Sequence, residues 1–173
     1  GVLSAASVVG FSGSRSPSQL SVAAVEAASV LAPQSASVVV GCARGVDALV
    51  RSFFPGASVF SVASGRWGVG RGAFAARSVA CVRAVAAAGS GGLWLSFPSG
   101  ACPAGLSPSS SSSRCFSGSG SGSWASLAFA VGLGVPTAVL LESGAPPSGW
   151  GFSSLSGCPG WFFFPGSRQL SLL

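Results

Sequence analysis

This chain is written almost entirely with ten residue types. Gly, Ala, Val, Leu, Ser, Phe, Pro, Arg, Cys and Trp fill all but seven of its 173 positions, and Lys, His, Met, Tyr, Asn and Ile do not occur. Whatever it folds into has to be made from those ten. They share one property: each can be encoded without adenine. GC-rich coding does not account for the set, because it would deplete Phe, of which there are 12, and would spare Thr, His, Asp and Gln. The pattern implies a gene that avoids adenine in its coding strand, a bias selected on nucleic acid. The exceptions are Gln19, Glu26, Gln34, Asp47, Thr137, Glu142 and Gln169. Each marks a position where something resisted the bias or where the bias left a residue unpurged.

The length suits a single domain with a real core. A hydrophobic fraction of 49% and a mean hydropathy of +0.65 would by themselves suggest a membrane protein. The order of residues argues otherwise. The one long uncharged apolar run, WASLAFAVGLGVPTAVLL from Trp124 to Leu141, carries Gly-Leu-Gly-Val-Pro in its middle and reads as helix, stop, then strand. A spanning helix needs about 20 continuous apolar residues. No charged and apolar leader opens the sequence, so neither a signal peptide nor a membrane partner is expected. Five widely spaced cysteines without a CxxC pair, and no His, argue against a zinc site or a disulfide framework. Reduced thiols, a cytoplasmic location, no metal and no cofactor are the expectation.

Charge is sparse and one-sided, with nine arginines against three acids and a net charge of +6. Such a balance favours a polyanionic partner such as nucleic acid or nucleotide. Adenine avoidance competes as an explanation, since it removes Lys, Asp and Glu together and leaves only Arg.

Strands and helices are expected to alternate. Ala5 to Gly10 is a first strand, followed by the turn FSGSRSPS. Gln19 to Leu31 is a helix started by Ser18 or Pro17. Ser37 to Val40 is a second strand ending in GCARGVD, and Val46 to Phe53 is a helix. Ala57 to Ala63 is a third strand, and Ala73 to Ala88 a helix after the loop SGRWGVGRG. Gly92 to Phe97 is a fourth strand, ending at Pro98-Ser99-Gly100. Residues 101 to 123 are a low-complexity Ser/Gly loop. Such a segment buries little apolar surface, and is expected to be mobile until phosphate orders it as a lid. A helix from Trp124 to Gly132, a strand from Pro136 to Leu141, an edge strand at Trp161 to Phe164 and a tail complete the pattern. The fold class is α/β: one domain over residues 1–166, a Rossmann-like parallel sheet with helices on both faces, then a tail over 167–173. The crossover rule puts every strand-to-helix turn on one edge. There, glycines let the backbone approach a phosphate, and helix N-termini offer it unpaired N–H groups.

GFSGSR after the first strand, VVVGCARGVDALVR after the second, Ala76-Arg77-Ser78 in the third helix and GSGSGSWASLAFAVGLGVP near the end together form a pattern. It resembles the SLOG group of Rossmann-like proteins, which includes the DNA-processing protein A family and the lonely-guy phosphoribohydrolases. GCARGVD is the most specific part, and the resemblance spans about residues 7 to 142. It implies that Gly13, Ser14 and Arg15, then Gly41, Arg44, Gly45 and Asp47, then Arg77, Ser99 and Gly100, then Gly120, Ser121, Gly122 and Ser123 line a nucleotide or DNA-phosphate pocket. Asp47 has an alternative reading as a helix N-terminal charge favoured by the dipole. Arg44 has one as a surface salt bridge, although only three acids exist to pair with nine arginines.

The departures bear on chemistry. Ser78 stands where the group carries Asn. Phosphoribohydrolases carry a catalytic Glu early in the helix after the last glycine turn, and this chain has Trp124-Ala125-Ser126 there. Without His, Ser–His and Cys–His nucleophile pairs are impossible, and general acid–base catalysis lacks its usual groups. The expected function is therefore non-catalytic binding of a nucleotide or single-stranded DNA, in DNA processing, replication or a mobile-element or phage-defence setting. The alternative is a nucleotide N-glycosidase or phosphoribohydrolase using Asp47, Glu26 or Glu142. The two are separated by whether a carboxylate lies within reach of the pocket.

Gln169, Leu170, Ser171, Leu172 and Leu173 resemble the bacterial sliding-clamp-binding peptide, with Leu173 where Phe is usual. The resemblance implies that Gln169 sets the register while the leucines fill an apolar groove on the clamp. An ordinary apolar terminus packed on the domain is the competing reading. A homo-oligomer stays open.

Overall fold

The computed structural model describes residues 1–118 and 120–167. Its strands are β1 (Val8–Gly13), β2 (Ser37–Gly41), β3 (Ser58–Phe60), β4 (Gly92–Phe97), β5 (Thr137–Leu140), β6 (Ser153–Ser154) and β7 (Trp161–Phe164). The α-helices are α1 (Gln19–Leu31), α2 (Val46–Phe53), α3 (Arg71–Ala86), α4 (Ser112–Cys115) and α5 (Gly122–Gly132). The strands form one seven-stranded sheet in the order β3-β2-β1-β4-β5-β7-β6. The first five strands are parallel and β7 and β6 are antiparallel additions. The chain builds outward from β1 to β3, then crosses back to lay β4 on the other side of β1. That reversal opens a crevice between the carboxyl ends of β1 and β4.

Residue chemistry dictates these elements. Valine is the β-branched residue this repertoire supplies in quantity, and runs of it form β1 and β2, while leucine and aromatic residues form β4 and β7 and alanine-rich stretches form α1 and α3. Side chains alternate across the sheet into two cores. In β2, Val38 and Val40 join Val25, Val46 and Val50 on the α1/α2 face, whereas Val39 points to the opposite face. In β4, Leu93, Leu95 and Phe97 take the first face, and Trp94 packs with Val82, Val85 and Phe129 on the α3/α5 face. Gly10 is the counterpart of Trp94: a Cβ there would collide with the indole ring and with Val85, so glycine in β1 makes room for the largest side chain in β4. Ser18 caps α1 by accepting from the Ser21 N–H at 3.1 Å.

Helices on both faces and a Rossmann-like parallel sheet stand as expected, and the ranges of α1, α2, β4 and β7 coincide with the sequence reading. Four details differ. β1 starts at Val8 and runs on through Phe11-Ser12-Gly13, because those residues pair with Leu95, Ser96 and Phe97 and bury Phe11. β3 stops at Phe60, and Val62–Ser64 is a 3-10 turn. β7 is not an edge strand, since β6 pairs along its outer side. As expected, by contrast, the run from Trp124 to Leu141 divides at Gly134 (φ 76°) into α5 and β5. Among the described residues no helix is long and apolar enough to cross a membrane.

The fourth difference concerns the serine-rich segment, which is packed rather than loose. Cys115 in α4 is buried, and Cys102, Leu106 and Phe116 pack against the α5 core. The Trp124 indole N–H donates to the Gly100 carbonyl at 3.3 Å. A Cβ on Gly132 would overlap the Ser109 backbone. A few well-placed apolar groups suffice to seat this segment, and the expectation of a mobile lid is withdrawn. Gly132→Ala tests the packing. Alanine ordinarily gains about 1 kcal/mol over glycine in a helix. The overlap with backbone outweighs that, and urea unfolding should show a net loss of about 1–3 kcal/mol.

Candidate phosphate-binding cavity

The β2–α2 turn, Gly41 to Gly45, is tied down by three charged side chains. Asp47 Oδ2 accepts from the Ala43 N–H at 3.1 Å. Arg51 Nη1 donates to the carbonyls of Gly41 and Ala43, each at 2.9 Å. Arg77, reaching across from α3, sets Nη1 3.8 Å from Asp47 Oδ2 and 3.3 Å from Cys42 Sγ. The Val62 N–H donates to the same sulfur at 3.3 Å. Asp47 and Arg77 form the one ion pair among the described residues, and both are buried, each 7% exposed. Gly41 lies directly beneath: a Cβ there would come within 2.5 Å of Arg77 Nη1 and 2.6 Å of Asp47 Oδ2. Gly45 (φ 78°) has a different task. Its missing Cβ lets the turn press on the Ser14–Arg15 backbone, and the Val46 N–H donates to the Ser14 carbonyl at 3.0 Å.

Above this frame lies a cavity of about 760 Å³ at the carboxyl edge of the sheet, over the reversal between β1 and β4. Gly13, Ser14 and Arg15 line it from the end of β1 and the turn after it, Gly41 from the β2–α2 turn, Asp47 from the start of α2, and Arg77 from α3. Ser99 contributes after β4, and Gly120, Ser121, Gly122 and Ser123 contribute the entry to α5. Three expected residues are not in its wall. Gly45 is spent on packing. Gly100 lies outside the wall, and its carbonyl accepts from Trp124. Arg44 is exposed and borders a shallower hollow of about 330 Å³ shared with Arg15, Ala43 and Phe74. Residues that the sequence reading did not assign to the pocket join the wall, among them Ser12, Phe74, Ser78, Cys81, Trp94 and Arg114. Arg114 had a signal, being the one cation in the serine run.

No family model, curated protein or solved structure matches this chain. The site is therefore read from its own geometry.

That geometry offers mostly donors. The Ser121 hydroxyl at the N-cap of α5 makes no bond to the helix backbone and pairs with the Ser123 hydroxyl at 2.8 Å. The N-terminal N–H groups of an 11-residue helix thus lack a side-chain cap at the cavity edge. Arg77 Nε and Trp94 Nε1 are buried without a partner among the described residues. Burial pushes the Cys81 thiol up to about 12, with Arg77 only partly offsetting, which disfavours the nucleophilic thiolate. Asp47 is held above the ordinary carboxylate range. Desolvation is the largest influence, opposed by the Ala43 hydrogen bond and by Arg77, Arg51 and Arg15.

A carboxyl with a raised folded pKa weakens the fold when ionised. That cost is present above the folded pKa and disappears as pH falls through it towards 3.8. Asn at this position keeps an oxygen for the Ala43 N–H but cannot ionise. Acidification from neutral should therefore stabilise the wild type relative to Asp47→Asn, and the two urea midpoints should converge as Asp47 protonates. A constant gap between them across the range would show that Asp47 is not held above its ordinary value.

Proposed function

We propose that the protein binds a phosphorylated ligand, nucleotide or single-stranded DNA, in this cavity and acts by binding rather than turnover. One observation carries the reading. The crevice at the reversal between β1 and β4 is walled by a glycine–serine–arginine turn, the uncapped N-terminus of α5 and two exposed arginines, Arg15 and Arg114. Its volume lies in the range of ordinary ligand sites, and ligands bind open α/β sheets at this position. The resemblance of GFSGSR and GCARGVD to the SLOG group supports the same ligand class and a role in DNA processing. The absence of histidine supports binding over chemistry.

Arg15→Ala and Arg114→Ala each remove a charge-assisted contact worth about 1.5–3 kcal/mol, a tenfold or greater loss of affinity. Calorimetric titration with nucleoside monophosphates and short single strands measures this. Equal binding by wild type and both variants would falsify the site.

A second reading, an N-glycosidase-like activity, is favoured by one feature: Asp47 lines the cavity with a raised pKa, which suits a proton donor. Glu26 and Glu142 are exposed and do not line it. Release of free base from a nucleoside monophosphate by wild type but not by Asp47→Asn would move the assignment to catalysis.

Gln169–Leu173, the clamp-binding candidate, lies outside the described residues. We retain the tether as part of the proposal on the strength of its sequence. Three leucines at about 1.5–3 kcal/mol each can offset the motion lost on docking. Deleting residues 169–173 should abolish association with a bacterial sliding clamp and leave the melting temperature unchanged. A lowered melting temperature would mean that the leucines belong to the domain.

A further inference from the structure

Composition explains why the cations of this protein are arginines. It does not explain where they are. Six described arginines are exposed: Arg15, Arg44, Arg66, Arg71, Arg83 and Arg114. Five of them follow the carboxyl ends of strands. Arg15 follows β1, Arg44 follows β2, Arg66 and Arg71 follow β3, and Arg114 follows β4. The sixth, Arg83, sits in the last turn of α3 over the Phe129 ring. None of the six forms an ion pair among the described residues. An unpaired cation scattered on a surface needs no explanation; five gathered along one edge form a positive field.

Aromatic groups are interleaved with these arginines. Phe74 is 43% exposed and borders both the main cavity and the hollow that holds Arg44. Beyond it, Trp67 stacks on Phe60 with centroids 5.5 Å apart, and the Arg66 guanidinium lies 5.5 Å from the Trp67 centroid. Arg66 is thus an exposed guanidinium set beside an aromatic ring in the β3–α3 loop. Guanidinium planes and aromatic rings are the surfaces on which unstacked bases rest, and they accept any base.

We propose that this edge is a binding track for a single-stranded nucleic acid, entering at Arg66 and Arg71, passing Phe74 and Arg44, and ending in the cavity at Arg15. The inference rests on the phosphate-binding reading for its inner end only. From β3 to β1 is two strand spacings of about 4.8 Å, roughly 10 Å, before the cavity itself begins. A single nucleotide in the cavity leaves Arg66 and Arg71 without a phosphate. A strand of several nucleotides reaches them. Duplex fits less well, because its bases are not free to lie on Phe74.

The test compares deoxythymidine monophosphate with a single-stranded oligothymidylate of roughly a dozen nucleotides on the full chain. Arg66→Ala/Arg71→Ala should leave monophosphate affinity unchanged and lower oligomer affinity at least about tenfold at low salt. The slope of log affinity against log salt should shrink by about 0.7 for each phosphate contact removed. Phe74→Leu should weaken the oligomer about fivefold or more with the salt slope unchanged, the mark of lost stacking rather than lost charge. Unchanged oligomer binding by the double variant overturns the track. So does a wild type that holds the oligomer no more tightly than the monophosphate, an outcome that leaves the cavity reading standing. Competition by polyglutamate as effective as that by oligothymidylate also overturns it, since charge alone would then suffice. Track-dependent oligomer binding without monophosphate binding supports the track and sinks the cavity reading by itself.

Discussion

Asp47 and Arg77 sit between the β2–α2 turn and α3, and the ligand edge is organised around them. The carboxylate holds the Ala43 N–H and the guanidinium holds the Cys42 sulfur, so strand β2, helix α2 and helix α3 meet through one buried pair. Two charges removed from water cost several kcal/mol each, and their attraction returns that only when every other polar group nearby is also engaged. Here Arg51 engages the two turn carbonyls and Gly41 leaves space for both charged side chains, but Arg77 Nε is buried without a partner among the described residues. The pair is thus weak evidence of stability. Its clearer effect is on position: it sets where Arg77 and the turn can lie relative to the cavity.

The restricted repertoire shapes the packing. Where a wider alphabet would fill gaps with Ile, Met or Tyr, this chain sets a ring or neighbouring backbone against glycine. Trp94 lies over Gly10, and Ser109 lies against Gly132. Serine takes over capping and turn chemistry, as Ser18 does for α1. Two residues that resisted the compositional bias are buried and bonded: Asp47, and Thr137, whose hydroxyl donates to the Val135 carbonyl at 2.8 Å. Gln19, Glu26, Gln34 and Glu142 are exposed, and nothing in the structure explains their retention.

Arginine is the only side-chain cation available, and it is used in two ways. Arg51 and Arg77 are structural, their donors turned onto backbone and sulfur inside the protein. Arg15, Arg44, Arg66, Arg71 and Arg114 are exposed after successive parallel strands. Parallel strands point their carboxyl ends the same way, so loops distant in sequence share one edge. Topology therefore concentrates a diffuse positive charge into a local one.

Much of the architecture was legible in the sequence because it is local. A valine run marks β2, an apolar Leu-Trp-Leu stretch between glycine and proline marks β4, an alanine-rich stretch after serine marks α1, and the alternation of such strands with helices implies a parallel sheet. The same local motifs picked out part of the cavity wall, from Gly13 to Arg15 and from Gly120 to Ser123. Pairing between distant segments decided the rest. β1 extends through Phe11-Ser12-Gly13 because β4 offers a ladder, and β7 is interior because β6 covers it. The serine run is seated because α5 has a glycine facing it. Arg44 faces outward while Arg77 is drawn in, because only Arg77 lies within reach of the one buried carboxylate. Sequence sets what each segment can do alone; burial and charge pairing between segments, which no local pattern encodes, decided which residues meet.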